Sequence, residues 1–321
     1  MFDIKPKTLY HWYRNYLSDY HPDIEQGKWH PSYLEYVDVH TGEIAEGKPL
    51  YVFKPENIGH KMSIDDKAIG HEGFTIMSNG DTGKIALMIE SCKSDEVADA
   101  VSLFGRELDK IQSISCDMAA GYLRVCAEEL PKAAVVIDKF HVMQYVYDAV
   151  LDVRSNIKKE LSGSLSKGKI KTEQDREILQ KLDILKQCRY RLTQSPDKWS
   201  EAGKEIMYKA FRTHRQLEKV YLLSQNFKKW YARENCIKSK IEIEGELHQW
   251  YREVKKNDIK ELNSAVRMIR KHENEIINFF YNGQTNAKAE RLNGKINRFI
   301  SNNYGIKDKD FALYRIAKYF S

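Results

Sequence analysis

Three acidic residues that lie far apart in the sequence, Asp65, Asp117 and Glu290, could together hold divalent cations. Clustered carboxylates repel one another, which favours cation binding, and oxygen ligands with open positions favour Mg²⁺ or Mn²⁺. Two such ions roughly 3.5–4 Å apart could serve in-line phosphoryl transfer. One ion would activate water or a 3′-hydroxyl, and the other would stabilise the leaving oxygen.

The residues alone leave alternatives open. An Asp at a strand end more often caps a turn or helix, and a Glu in a helix is more often solvated. Asp66 competes with Asp65 for the role of first ligand, because a shift of one residue in a strand exchanges the two faces of a sheet.

A second polar group, Asp138 with His141, lies where a strand is expected to pass into a helix. Ligands collect at such positions in α/β sheets. His141 is therefore either a buried histidine that caps its own helix or a site histidine near the metal or the phosphate.

Short β-branched runs and turn signals before residue 141 predict five strands that could position these residues. The first three form a meander, in which Asn79–Gly83 is a hairpin turn, and a helix between the last two implies a parallel crossover. This strand order is that of a ribonuclease-H-like α/β fold, in which the strands ending at Asp65 and Asp117 are neighbours. The predicted strands are Lys61–Asp66, Phe74–Ser78, Lys84–Glu90, Ile111–Asp117 and Ala133–Asp138, with helices at Ser94–Leu108 and Ala119–Glu129.

The stretch from His141 to Phe280 contains one proline and four glycines, so it is predicted to be nearly all helical. We therefore expect a small aromatic N-terminal module at 1–58 and the first part of a mixed five-stranded core at 59–145. A large all-α insertion at 146–282 would follow, and C-terminal helices at 283–321 would complete the core.

The helix that carries Glu290 has three faces at 100° per residue. The apolar face should pack on the core, the basic face could meet phosphates, and the amide face surrounds the lone carboxylate. The apolar residues are Ala289, Leu292, Ile296 and Phe299, the basic residues are Arg291, Lys295 and Arg298, and the third face has Asn286, Glu290, Asn293 and Asn297.

The charge is uneven along the chain, although the net charge is only +6. Residues 1–140 contain 15 basic and 23 acidic residues, whereas 141–321 contain 37 and 23, a net −8 and +14. The basic half suits a polyanion such as nucleic acid, or it consists of solvated lysine-rich helix faces. The five cysteines form no CxxC pair, and no signal peptide or apolar span is evident, so a cytoplasmic protein is expected.

Three segments together resemble the DDE-type insertion-sequence transposases of the ISL group, relatives of the Mutator and hAT transposases. Ile64–Asp66 resembles the segment with the family's first Asp. Asp117–Met118, then Pro131–Ala133, then Asp138–Val142 are together similar to the family signature. Thr285–Ile296 is similar to its final-carboxylate motif. The resemblance covers roughly residues 60–320.

The resemblance implies a transposase that cleaves and joins DNA strands with two Mg²⁺ ions, for which Mn²⁺ can substitute. Asp65, Asp117 and Glu290 would be the triad and metal ligands, while Asp138 and His141 would form an accessory DxxH motif. Arg154 also resembles a family position that could contact phosphate. The expected partners are transposon ends and target DNA, bound by a homodimer in the nucleoid.

The N-terminus departs from the family, because no cysteine-rich finger precedes Asp65. Either a separately encoded protein is therefore expected to recognise the transposon ends, or the gene is truncated. Two further interpretations remain open, a DNA-binding protein that has lost its catalytic activity and a nuclease of the same fold.

Overall fold

A computed structural model describes residues 4–37, 44–165, 172–282, 287–302 and 308–321. The chain divides into two compact units. The sheet unit contains Met1–Asp138 and Gln284–Ser321, and the helical unit contains Lys139–Gly283. The sequence placed the corresponding boundaries after residues 145 and 282.

One mixed sheet of seven described strands organises the sheet unit, in the order β1-β2-β5-β4-β3-β6-β7. Neighbouring strands are antiparallel except for β3 with β6 and β6 with β7, which are parallel. This α/β arrangement is compatible with the predicted ribonuclease-H-like fold. The strands are β1 (Ser32–Val37), β2 (Ile44–Phe53), β3 (Lys61–Ile69), β4 (Glu72–Asn79), β5 (Ile85–Ile89), β6 (Ser113–Cys116) and β7 (Ala134–Ile137).

The prediction of five strands was wrong, because two more strands precede them. β2 pairs with β5, and β1 pairs with β2, so part of the N-terminal segment extends the core sheet. The aromatic composition of this segment concealed the strands, since its polar and apolar residues do not alternate cleanly. The five predicted strands correspond to β3–β7, within three residues at each end.

Helices flank the sheet and build the second unit. Their order is α1 (Pro6–Trp12), α2 (Tyr20–Glu25), α3 (Ser94–Ser102), α4 (Ala120–Glu129), α5 (Lys139–Gly163), α6 (Glu173–Gln187), α7 (Glu201–Thr213), α8 (Arg215–Trp230), α9 (Lys240–Asn257), α10 (Leu262–Lys271), α11 (Glu273–Asn282), α12 (Ala287–Asn302) and α13 (Lys309–Phe320).

The two faces of the sheet bury different helices. On one face, Met62 and Ile64 of β3 pack in a core with residues of α3 and α4, such as Val101 and Val125. On the other face, the strand residues pack with α12 and α13, and the buried contacts include Ile76, Leu292, Ile296 and Leu313. Alternation along the strands thus determines which helices each side chain meets.

The N-terminal aromatic residues pack largely against α13. Tyr20 is buried with Phe311 and Tyr314, with Trp29 packed beside them. Arg14 binds Asp308 with 2.6 Å between Nε and Oδ2. Tyr16, by contrast, is 73% exposed.

The helical unit has its own aromatic core. The rings of Phe227 and Trp250 have centroids 4.7 Å apart, and those of Trp230 and Phe280 are 5.1 Å apart. Val146 and Val150 of α5 are fully buried, as their helical spacing predicted. Within the described part of the chain, no helix has the length and hydropathy that a bilayer span requires.

Candidate active site

Asp65 lies on β3, and Asp117 directly follows β6, the parallel neighbour of β3. Ser63 of β3 is in register with Ser115 of β6, so each Asp follows its registered serine by two residues. Adjacent strands are about 4.8 Å apart. Both aspartates are half-buried. The strand order therefore places the two aspartates at the same end of the pairing between β3 and β6.

The Asp65 carboxylate is held at both oxygens. Asn293 of α12 donates from Nδ2 to Oδ2 at 2.9 Å, and the backbone N–H of Asp66 donates to Oδ1 at 2.9 Å. Asp65 pairs with Ile76, which belongs to the core containing Leu292. Asp65 thus faces α12, the helix that carries Glu290.

Asp117 lies between β6 and the start of α4. Its Oδ1 accepts the backbone N–H of Ala119 at 2.8 Å, two residues further on, which closes a turn before the helix. The turn alternative left open by the sequence is thus realised for one oxygen. This contact fixes the carboxylate orientation, and the negative charge of Asp117 contributes to raising the pKa of Asp66.

Asp66 lies on the opposite face of the sheet from Asp65. Its Oδ1 accepts a hydrogen bond from the hydroxyl of Tyr122 in α4, and the Cys92 thiol also donates to this carboxylate. Desolvation is the largest cause of the raised pKa of Asp66, and the negative charge of Asp117 raises it further. The desolvated sulfur and the nearby carboxylate together raise the pKa of Cys92 to about 11.

Glu290 lies in the first turn of α12 and is exposed. Asn293 follows it by three residues, so the two side chains are neighbours on the helix surface. The apolar face packs as predicted, since Leu292 is 3% exposed and Ile296 is fully buried. Thr285 and Asn286 of the final-carboxylate motif lie outside the described residues.

The donor chemistry fits a hard divalent cation, because the side chains at this place offer carboxylate oxygens. Among the described residues, no group of three or more His, Cys, Asp or Glu side chains is arranged to hold a metal. The described residues therefore offer Asp65 and Asp117 at neighbouring strands. Glu290 lies on the same helix as Asn293, whose side chain binds Asp65.

The predicted basic face of α12 points away from the apolar core. Arg291, Lys295 and Arg298 are all exposed, and none makes an ion pair with a described residue. Such a row leaves its charges available to an external polyanion.

The remaining candidate residues occupy different units. Asp138 is 7% exposed at the end of the sheet unit, and its backbone N–H donates to the Cys116 carbonyl at 2.8 Å. His141 is half-buried in the first turn of α5 in the helical unit. Arg154 donates to the Leu185 carbonyl near the end of α6 at 3.0 Å, a contact that supports helix packing.

Two contacts of the site were not predicted from the sequence, the hydrogen bond from Asn293 to Asp65 and that from Tyr122 to Asp66. The amide face around Glu290 was the available signal for the first contact. Its partner could not be identified, because 228 residues separate Asn293 from Asp65.

Comparison with known proteins gave one family-level match. The family model for ISL3-group DDE proteins, described as a transposase, matches residues 62–316. No curated protein and no solved structure matches the chain. The family match covers β3–β7, the helical unit and α12.

Proposed function

The chain belongs to the ISL3-group transposase family, and from this premise we propose that it cleaves and joins DNA strands with Asp65, Asp117 and Glu290. The observation that carries the proposal is that Asp65 on β3 and Asp117 directly after β6 each follow, by two residues, a serine of a registered pair on neighbouring parallel strands. The contact between Asp65 and α12 adds support, because that helix carries Glu290. DNA is the partner that membership of a transposase family implies.

The three carboxylates would hold two Mg²⁺ or Mn²⁺ ions. When bound, these ions would activate the attacking hydroxyl and stabilise the leaving oxygen. The protein contributes orientation, because the Ala119 N–H fixes Asp117, and Asn293 with the Asp66 N–H fixes Asp65. Fixed ligands reduce the reorganisation that the reaction needs.

Asp65, and not Asp66, is the first carboxylate in this proposal. Asp65 faces α12 and is bonded to Asn293, whereas Asp66 is bonded to Tyr122 on the other face. A carboxylate on the α4 face would be directed away from Glu290.

Arg291, Lys295 and Arg298 supply a surface for DNA phosphates in this proposal. Their exposure on the helix that carries Glu290 supports the assignment. Arg154 is a weaker candidate, because its guanidinium already binds a helix carbonyl. Asp138 and His141 would shape the DNA path or the site without binding metal directly.

Two protomers acting on paired DNA ends are proposed as the active form, since both element ends must be joined to the same target DNA. This proposal concerns the assembly on DNA and can be tested with the purified chain and labelled element ends.

The test is a strand-transfer assay with labelled element ends and a target plasmid, in Mg²⁺ and in Mn²⁺. Joined products from the parent, and none from Glu290→Gln, are expected. Nicks without joined strands would indicate a nuclease instead. DNA binding with neither product would favour a DNA-binding protein that no longer cleaves, a second candidate that the exposed basic row supports.

A further inference from the structure

We propose that Asn293 is a positioning residue whose side-chain amide ties α12 to the Asp65 carboxylate and thereby sets the position of Glu290. This inference deepens the proposed function and rests on it for its catalytic consequence. The hydrogen bond between Asn293 and Asp65 belongs to the folded protein, so its effect on α12 can be measured without any reaction.

The contact joins two elements distant in sequence. The Nδ2 of Asn293 lies 2.9 Å from Oδ2 of Asp65, and both residues are half-buried. A hydrogen bond to an ionised acceptor is stronger than one between neutral groups. The bond therefore fixes the carboxylate and the helix at the same time.

Helix geometry brings this tie close to Glu290. Three residues in an α-helix correspond to a rise of about 4.5 Å and nearly one full turn. Glu290 and Asn293 are therefore adjacent on the surface of α12. Any rotation or sliding of the helix that moves Asn293 from Asp65 moves Glu290 by a similar amount.

The apolar contacts of α12 with the sheet are less directional, whereas Lys288 near the start of α12 also donates a hydrogen bond to the Asp81 carbonyl in the turn between β4 and β5. Leu292 and Ile296 pack in an apolar core, which selects the buried face of the helix but tolerates small shifts. A hydrogen bond has narrow limits of distance and angle. Asn293 thus adds the constraint that apolar packing does not provide.

The strand side of the tie is also fixed. The Asp66 N–H holds the second oxygen of Asp65, and the Tyr122 hydroxyl binds the Asp66 side chain from the opposite face. The middle of β3 is thereby anchored on both faces. The side chain of Asn293 is a neutral donor, whereas a carboxylate at this position would repel Asp65.

The test uses the full chain, four single variants and one double variant. Asn293→Ala removes the tie, and Asn293→Gln retains a donor on a longer side chain. Asn297→Ala is the matched control, because Asn297 lies one turn further along the same amide face and is exposed. Asp65→Ala allows a double-mutant cycle with Asn293→Ala.

The first measurement is hydrogen–deuterium exchange of α12 in the metal-free protein, together with Mn²⁺ titration followed by electron paramagnetic resonance. For Asn293→Ala we expect α12 exchange about tenfold faster and Mn²⁺ affinity about tenfold lower. The Gln variant should recover part of both effects, and Asn297→Ala should match the parent. In the Asp65→Ala background, Asn293→Ala should add no further exchange.

The second experiment measures the rate of strand transfer and, separately, the affinity for DNA. Asn293→Ala should lower the transfer rate by about tenfold or more while DNA affinity stays within about twofold of the parent. Unchanged α12 exchange in this variant, or an equal change in Asn297→Ala, would overturn the proposal. If the parent itself joins no DNA, the proposed function fails, whereas the exchange and Mn²⁺ results still decide the role of Asn293.

Discussion

At the residue scale, two consecutive aspartates have different environments. Asp65 binds an amide of α12, and Asp66 binds a hydroxyl of α4 on the opposite face. Alternation along β3 alone separates them. The sequence could name both residues but could not choose between them, because the choice depends on strand register.

Asp117→Asn should abolish strand cleavage and leave DNA affinity equal or higher. The substitution keeps the side-chain oxygen that accepts the Ala119 N–H, while it removes a charge that repels phosphate. Cleavage of labelled DNA and binding by fluorescence anisotropy measure the two effects. Undiminished cleavage would remove Asp117 from the mechanism.

Cys92 should react slowly with iodoacetamide although the residue is exposed. With its pKa raised to about 11, the thiolate forms only as the pH rises towards that value. Its thiolate fraction at pH 8 should be about a hundredfold below that of an ordinary thiol.

Asp66→Asn should accelerate this alkylation, because it removes a negative charge that raises the thiol pKa. Peptide mapping by mass spectrometry between pH 7 and 10 gives the rates, with the buried Cys188 as an unreactive reference. Alkylation of the parent at the rate of free cysteine would contradict the expectation.

At the element scale, α12 combines a packing face, an exposed basic face and the amide contact to Asp65. Helical periodicity predicted the first two faces because they depend only on local spacing. The amide contact depends on a strand far away in sequence, so periodicity could not reveal it. For the same reason the sequence located β3–β7 but missed β1 and β2, whose pairing with the core is a tertiary property.

Lys295→Ala combined with Arg298→Ala should weaken DNA binding and reduce its dependence on salt. Each lost phosphate contact lowers the slope of log affinity against log salt by about 0.9. The matched control is Lys110→Ala with Lys132→Ala, two exposed lysines already paired with Glu107 and Asp109. An unaltered slope in the α12 variant would indicate that its basic face is solvated and does not contact DNA phosphates.

Ile296→Ala should lower the free energy of unfolding by about 2–5 kcal/mol, because Ile296 is fully buried between α12 and the sheet. Asn297→Ala, an exposed neighbour, should change it by less than about 0.5 kcal/mol. Chemical denaturation measures both values. A small loss for Ile296→Ala would mean that α12 contributes little to the core.

At the scale of the whole molecule, the two compact units differ in the sign of their net charge. The helical unit contains 30 basic and 20 acidic residues, and the sheet unit contains 22 and 26, a net +10 and −4. The acidic unit contains the candidate carboxylates, and the basic unit can attract the nucleic acid. The sequence predicted this asymmetry in outline, since it depends only on composition.

A fragment spanning residues 139–283 should fold independently and bind DNA without sequence preference. The aromatic contacts among Phe227, Trp230, Trp250 and Phe280 lie entirely within it. Circular dichroism should show a helical spectrum with a cooperative thermal transition, and DNA affinity should fall steeply with salt. A fragment without a cooperative transition would show that its core needs the sheet unit.

The opposed orientations of Asp65 and Asp66 also bear on folding fidelity. If β3 paired with its neighbours one residue out of register, every side chain of the strand would change face. Ile64 would leave its apolar core. In the shift that moves Asp65 to the position of Ile64, the carboxylate would enter that core at a cost of several kcal/mol. That misalignment is therefore disfavoured by Asp65, the residue that a correctly aligned strand presents to α12, so this error of pairing is selected against before any DNA is bound.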